Sequence, residues 1–111
     1  MTISTQITFR GIAPFDHARD IVHARLMRMT PLLTRGTRCE VLLERVVDSQ
    51  HIGSRRVYAH VRLLGTGMQV TTLAREDASA DALRMALARA EERLLRQRGA
   101  RLSLTTAMHA P

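Results

Sequence analysis

Arginine is the residue type in this chain whose number and spacing indicate a function. Basic residues number 17 against 10 acidic ones, which gives the 111-residue chain a net charge of +7. Every one of those 17 residues is arginine, and a guanidinium group presents a planar fork of N–H donors that binds phosphate bidentately. Such a surplus on a small domain is typical of proteins that bind a polyanion. RNA, DNA and an anionic membrane surface are the partners that charge leaves open.

Two predicted helices carry arginines at spacings that place them along a flank. They are Arg25 and Arg28 on the first helix and Arg89, Arg93 and Arg96 on the second. Residues three, four and seven positions apart share one side of a helix, and their contacts with phosphate would read the shape of a nucleic acid rather than its sequence. The alternative is an ordinary solvated helix surface, partly paired with Glu91 and Glu92.

Histidine and cysteine do not indicate a metal site. The histidines, none of which shows ligand spacing, are His17, His23, His51, His60 and His109. The single cysteine, Cys39, cannot form an intramolecular disulfide or a structural zinc site, and its place in a predicted strand favours a small buried residue. We therefore expect no metal and no cofactor, and a reducing compartment fits the cysteine content.

Residue patterns of other active sites are also missing from the sequence. The acidic pair Glu76-Asp77 precedes a predicted helix, where carboxylates favour the helix dipole, and Glu91-Glu92 falls on an exposed helix face. The turn Gly65-Thr66-Gly67 lacks the pattern of a phosphate-binding loop. The sequence thus predicts no enzyme and no small-molecule substrate.

Hydrophobic periodicity predicts six elements. Alternation predicts strands over 3–10, around Cys39–Leu43 and Val57–Leu63, and over 68–75, where the inward face is ambiguous. Three- and four-residue periods predict helices over 15–33, ending or bending near Pro31, and over 78–98, with Gly99 as the stop signal. Residues 48–54 are rich in turn formers, and residues 100–111 are expected to be a flexible tail.

This order predicts an α+β fold, β-α-β-β-β-α, in which a four-stranded sheet carries both helices on one face. The apolar stripes of the helices would then be buried against the sheet. They are Ala18, Val22, Leu26, Met29 and Leu33 in the first helix, and Leu83, Ala86, Leu87, Ala90 and Leu94 in the second. If the helices lie side by side, their arginine flanks would merge into one basic surface.

The expected location is the cytoplasm. The first residues, MTISTQITFRGIA, have no basic region followed by an apolar stretch, so they do not resemble a signal peptide. No window approaches the roughly eighteen apolar residues that a membrane span needs. A membrane partner is therefore not expected.

The residues as an ordered set resemble a known family. The opening QITFRGIAPFDHARDIVHARLMRM, the segment CEVLLER and the segment AREDASADALRMALARAEERLLRQRG are similar to the ribosome hibernation promoting factor and ribosome-associated inhibitor family, also called sigma-54 modulation proteins. Arg25-Leu26 and Arg28-Met29 stand where the family repeats a basic-apolar pair. Arg89, Arg96 and Arg98 fall on basic positions of its last helix. The resemblance covers about residues 3 to 98.

The resemblance implies a layout like that of double-stranded-RNA-binding domains and a function in translation. Family members bind the decoding region of the small ribosomal subunit, where they sterically block mRNA and tRNA and promote hibernation under stress or in stationary phase. This chain would be a short form, with a ribosome-binding domain over 1–99, a tail over 100–111 and no ribosome-pairing domain. A separate pairing factor is left open as a further partner.

The complete set of expected RNA-binding residues is Arg10, Arg25, Arg28, Arg35, Arg89, Arg93, Arg96 and Arg98. Their expected partner is 16S-type ribosomal RNA with neighbouring ribosomal proteins. Two other functions stay open from the residues alone. One is a general module for duplex RNA of about 16 base pairs, and the other is a regulator that binds an acidic protein.

Overall fold

Four strands form one mixed sheet in the computed structural model, which describes residues 3–47 and 55–109, with residues 47, 55 and 100–109 described by their backbone alone. The strands are β1 (Ser4–Arg10), β2 (Arg38–Val47), β3 (Arg55–Gly65) and β4 (Met68–Glu76), and they lie side by side in chain order. β1 runs parallel to β2, and the other neighbours are antiparallel. The predicted turn segment 48–54 lies outside the described residues.

Both helices cover the same face of this sheet. They are α1 (His17–Met29) and α2 (Ser79–His109). α2 lies over β3 and β4, and α1 packs beside α2. The predicted element order and the placement of both helices on one face are therefore confirmed.

The core lies between the helices and the inward face of the sheet. Every residue of the two predicted helix stripes is buried, together with Cys39, Val41 and Leu43 of β2 and the alternate residues of β3 from Val57 to Leu63. In β4, Met68, Val70, Thr72 and Ala74 point inward, which settles the facing that the sequence left ambiguous. Leucine at 73 therefore lies on the outer face, where it is 47% exposed.

α1 is shorter than the predicted helix over 15–33. It begins at His17 and ends at Met29, where a 3-10 turn (Thr30–Leu32) follows. Pro31 has no backbone N–H with which to continue the helical ladder. The hydroxyl of Thr30 instead lies 3.0 Å from the carbonyl oxygen of Met27 and 3.2 Å from that of Leu26.

Gly99 does not end the last helix, so the predicted stop signal is wrong. α2 continues through it to His109, and the φ of Gly99 is not among the positive values that mark a left-handed cap. Glycine inside a helix costs about 1 kcal/mol relative to alanine, a cost that cooperative helix formation tolerates. A flexible tail over 100–111 stays a prediction.

Thr72 is a buried polar residue whose hydroxyl ties β4 to α2. Its Oγ1 donates a hydrogen bond of 2.8 Å to the carbonyl oxygen of Ala86. Replacing it with valine keeps the shape and removes the bond, so we expect a loss of about 1 kcal/mol in the free energy of unfolding, measured by chemical denaturation. The control is Thr71→Val on the exposed face, with an expected change within about 0.5 kcal/mol. Equal effects of the two substitutions would contradict this role.

Candidate nucleic-acid interface

Three predicted arginines converge where α2 meets the edge strand β4. Arg89, Arg93 and Arg96 line one shallow hollow together with Thr72, Leu73 and Glu92. All three arginines are exposed. We call these three residues the α2 basic flank.

Two members of the α2 basic flank are held in place by the backbone of β4. Arg89 Nη1 donates a hydrogen bond of 2.6 Å to the carbonyl oxygen of Leu73, and Arg93 Nη1 donates one to that of Thr71. One turn further along, Gln97 Nε2 lies 3.5 Å from the carbonyl oxygen of Gln69. Because β4 is an edge strand, these side chains satisfy carbonyls that would otherwise be open to another strand.

This anchoring leaves most guanidinium donors of the flank free for a ligand. A guanidinium carries five N–H donors, and the recorded bonds of Arg89 and Arg93 each use one nitrogen on one carbonyl. Arg96 pairs with Glu92 one turn before it, and both side chains are exposed. An exposed pair of this kind contributes little to stability, so a phosphate can replace the carboxylate at low cost.

The arginines of α1 lie on the other side of α2, in a groove between the helices lined by His17, Arg25, Arg28 and Arg84 among others. Arg25 Nη1 lies 2.7 Å from Glu91 Oε2, with side chains only 23% and 21% exposed. This ion pair links α1 to α2. It matches the alternative from the sequence, in which the helix arginines pair partly with Glu91 and Glu92. Arg28 is exposed and has no ion-pair partner among the described residues.

The predicted single basic surface is therefore divided in two. Arg89 and Arg93 face β4, whereas Glu91, two positions along the helix, faces α1. Positions two apart on a helix point in directions about 200° apart because each residue turns the helix by about 100°. The expectation that the arginine flanks of the helices merge is thus wrong, and the outward ridge of α2 separates them.

Three other predicted residues lie elsewhere. Arg10 is on the opposite face of the sheet, 3.6 Å from Glu44. Arg35 is exposed in the turn before β2, and its carbonyl oxygen accepts hydrogen bonds from the backbone and hydroxyl of Thr66. Arg98 is exposed on α2.

Arg84 belongs to the groove but was missed by the sequence prediction. Its guanidinium lies 3.5 Å from His17 Nε2 and 3.8 Å from Asp81. The available signal was its spacing, because Arg84 precedes Arg98 by fourteen residues, close to four helical turns. That spacing puts both residues on one flank of α2, and Arg84 lies where this flank borders the groove.

Cys39 is fully buried, and burial raises the pKa of its thiol from 9.0 to about 12, with the charge of Glu40 adding to the effect. The thiol is therefore protonated and shielded at neutral pH. We expect a disulfide reagent at pH 8 to label Cys39 in the folded protein only as fast as the protein unfolds locally. In the denatured protein, the same reagent should label Cys39 at once. Because the folded pKa exceeds the unfolded one, this group should also lower stability as pH rises from 9 towards 12. Rapid labelling of the native protein would contradict the buried assignment.

The described residues form neither a metal-binding cluster nor a membrane-spanning helix. Within residues 3–47 and 55–109, no three histidine, cysteine or acidic side chains come together in a group that could hold a metal ion. No described helix combines the length and apolar character needed to cross a bilayer.

Solved structures of other proteins share this fold. No family model and no curated protein matches the sequence. The amino-terminal domain of Protein Y from Thermus thermophilus superposes with a TM-score of 0.66 at 20% identity, over 86% of this chain and 98% of that one. The chain has the Protein Y fold. A ribosomal subunit interface protein from Coxiella burnetii superposes with a TM-score of 0.67 at 11% identity, again over 86% and 98% of the two chains. Both superpositions agree with the fold that the sequence resemblance implies.

Proposed function

We propose that this protein binds ribosomal RNA of the small ribosomal subunit in the decoding region and blocks translation by occupying that space. The observation that carries the proposal is the α2 basic flank, where three exposed arginines converge on one hollow. The fold supports it, because one protein with the same fold is named a ribosomal subunit interface protein.

The geometry of the flank suits contact with phosphates of a folded RNA. Arg89 and Arg93 are anchored on β4, so their guanidinium groups lose less side-chain entropy on binding than free arginines would. Such contacts position a protein on RNA through its backbone and require no base recognition. The groove with Arg28 and Arg84 would supply a second line of contacts on the other side of α2.

Inhibition by occupancy needs no chemistry from the protein. A rigid domain placed between the head and body of the small subunit would exclude mRNA and tRNA by its volume. The proposal includes a cytoplasmic location, a role in hibernation under stress or in stationary phase, and no catalysis. A separate factor that pairs ribosomes is compatible with it.

Co-sedimentation tests the proposal directly. Purified protein is mixed with small subunits, large subunits or free duplex RNA over a series of salt concentrations, and the bound fraction is measured. We expect selective retention on small subunits, with an affinity that falls as salt rises. Equal binding to every RNA would favour a general duplex-binding module, and absence of binding at low salt would favour an acidic protein partner. Either result would overturn the proposal.

Inhibition is tested separately with a cell-free translation reaction. Added protein should lower the yield, and an excess of mRNA and initiator tRNA should relieve the inhibition because the ligands compete for one space. Inhibition that no amount of mRNA or tRNA relieves would contradict steric occupancy of the decoding region.

A further inference from the structure

Within the described residues, no helix or strand packs over the face of the sheet opposite the helices, and this face is strongly basic. Its described residues include five arginines and two glutamates. Strand pairing aligns two rows of side chains across this face: Arg10, Glu44, Tyr58 and Arg75 form one row, and Gln6, Glu40, Arg62 and Thr71 form another. The remaining arginines of this face are Arg38 and Arg56. We call this surface the open sheet face. Its charge suits a polyanion as well as the helix side does.

Rings suited to base stacking occur at its centre. Tyr58 and His60 project from the same side of β3, two residues apart, which separates them by about 7 Å along the strand. The side chain of His60 is 41% exposed, and Tyr58 is half-buried. Leu42 and Leu73 lie beside His60 in the same row across the sheet, so a stacked base would meet an apolar floor.

A hollow of about 290 Å³ lies beside the ring of His60. Gln6, Thr8, Glu40 and Arg62 are among the residues that line it. One carboxylate oxygen of Glu40, Oε1, is buried and accepts no hydrogen bond from the described residues, and the nearest cation, Arg38 Nη2, is 3.6 Å away. The Glu40 side chain as a whole is 35% exposed, so its carboxylate can turn toward the hollow. The exocyclic amino group of a base is a donor of the kind that glutamate recognises.

We propose that the open sheet face binds single-stranded RNA, with Tyr58 and His60 stacking on bases, Glu40 accepting a base amino group and Arg10 and Arg62 contacting phosphates. A four-stranded sheet with helices on one face and exposed rings on the other is an established layout for binding single strands. Arg62 is exposed and has no ion-pair partner within the described residues. This site is separate from the α2 basic flank, on the other side of the sheet.

The test is fluorescence anisotropy with a labelled, mixed-sequence single-stranded RNA of about twelve nucleotides. Arg10→Gln with Arg62→Gln should weaken binding about tenfold and reduce the salt slope by about 1.4, because two phosphate contacts are lost. Tyr58→Leu keeps an apolar side chain and removes the ring, so it should weaken binding roughly tenfold with the slope unchanged. Tyr58→Phe restores the ring and should bind like the wild type.

The matched control is Arg28→Gln with Arg96→Gln, which removes the same charge from the helix side and should change single-strand affinity by less than about twofold. Thermal melting checks that each variant is folded. Binding that falls equally in the control, displacement of the single strand by an equal amount of duplex RNA, or no binding at low salt would each overturn the proposal. Co-sedimentation of the same variants with small subunits distinguishes single-strand binding from the proposed ribosome binding. The variants of the open sheet face should still bind small subunits.

Discussion

Replacing Arg89, Arg93 and Arg96 together with glutamine is expected to lower affinity for small ribosomal subunits on the order of a hundredfold. Each substitution removes one positive charge from the hollow between α2 and β4. Glutamine keeps an amide N–H near the edge, as Gln97 does at 3.5 Å from the carbonyl oxygen of Gln69, so the edge strand stays partly covered. The slope of log affinity against log salt should become shallower by about 2 to 3, because three phosphate contacts are lost.

The matched control for this prediction removes the same total charge from the other side of the sheet. Arg10, Arg38 and Arg62 are replaced with glutamine on the open sheet face. We expect this variant to bind small subunits within roughly threefold of the wild type, since only long-range, salt-screened attraction is lost. If both triple variants lose affinity equally, binding depends on net charge and the α2 basic flank is not the docking site.

Leu87→Ala is expected to lower the free energy of unfolding by about 2 to 5 kcal/mol. The side chain is fully buried in the third turn of α2, and it also borders the groove between the helices. Its loss removes apolar contacts with both layers and leaves a cavity that rigid neighbours fill only partly. For a domain of this size, the melting temperature should fall by roughly 10 °C or more.

Leu95→Ala is the matched control because it lies on the same helix and is 53% exposed. The same atoms are deleted and helix propensity changes in the same way, so the difference between the two variants isolates burial. We expect a change within about 0.5 kcal/mol for Leu95→Ala, measured by urea denaturation. Comparable losses in the two variants would contradict the core position of Leu87.

The two arginines that hydrogen-bond to β4 have a structural role and a proposed binding role at the same time. Arg89 and Arg93 cover the edge of the sheet and are also two of the three arginines of the α2 basic flank. Truncation to alanine would therefore remove both roles at once, exposing edge carbonyls while it removes charge. Glutamine at these positions keeps a polar amide beside the edge strand and removes the charge.

Local sequence patterns predicted the helices, the strands and most of the core correctly. Alternation in β2 and β3 and the stripes from Ala18 to Met29 and from Leu83 to Leu94 predicted which side chains are buried, because burial follows the local period of each element. They misjudged Gly99, since a glycine can either end a helix or be carried inside it at modest cost. The facing of β4 was also ambiguous, because threonine at 71 and 72 suits either face of a sheet.

Tertiary structure alone decided how the charges are distributed. The spacing of Arg89, Arg93 and Arg96 predicted a shared flank, but it could not tell whether that flank faces α1 or the β4 edge. For Arg25 the sequence left phosphate contact and pairing with a glutamate both open, and packing brought Glu91 within 2.7 Å of it across 66 residues of chain. Arg10 was grouped with the helix arginines and lies on the opposite side of the sheet. Periodicity predicts the direction of a side chain on its own helix or strand. A binding surface depends in addition on how the helices and strands pack together, and local sequence does not encode that packing.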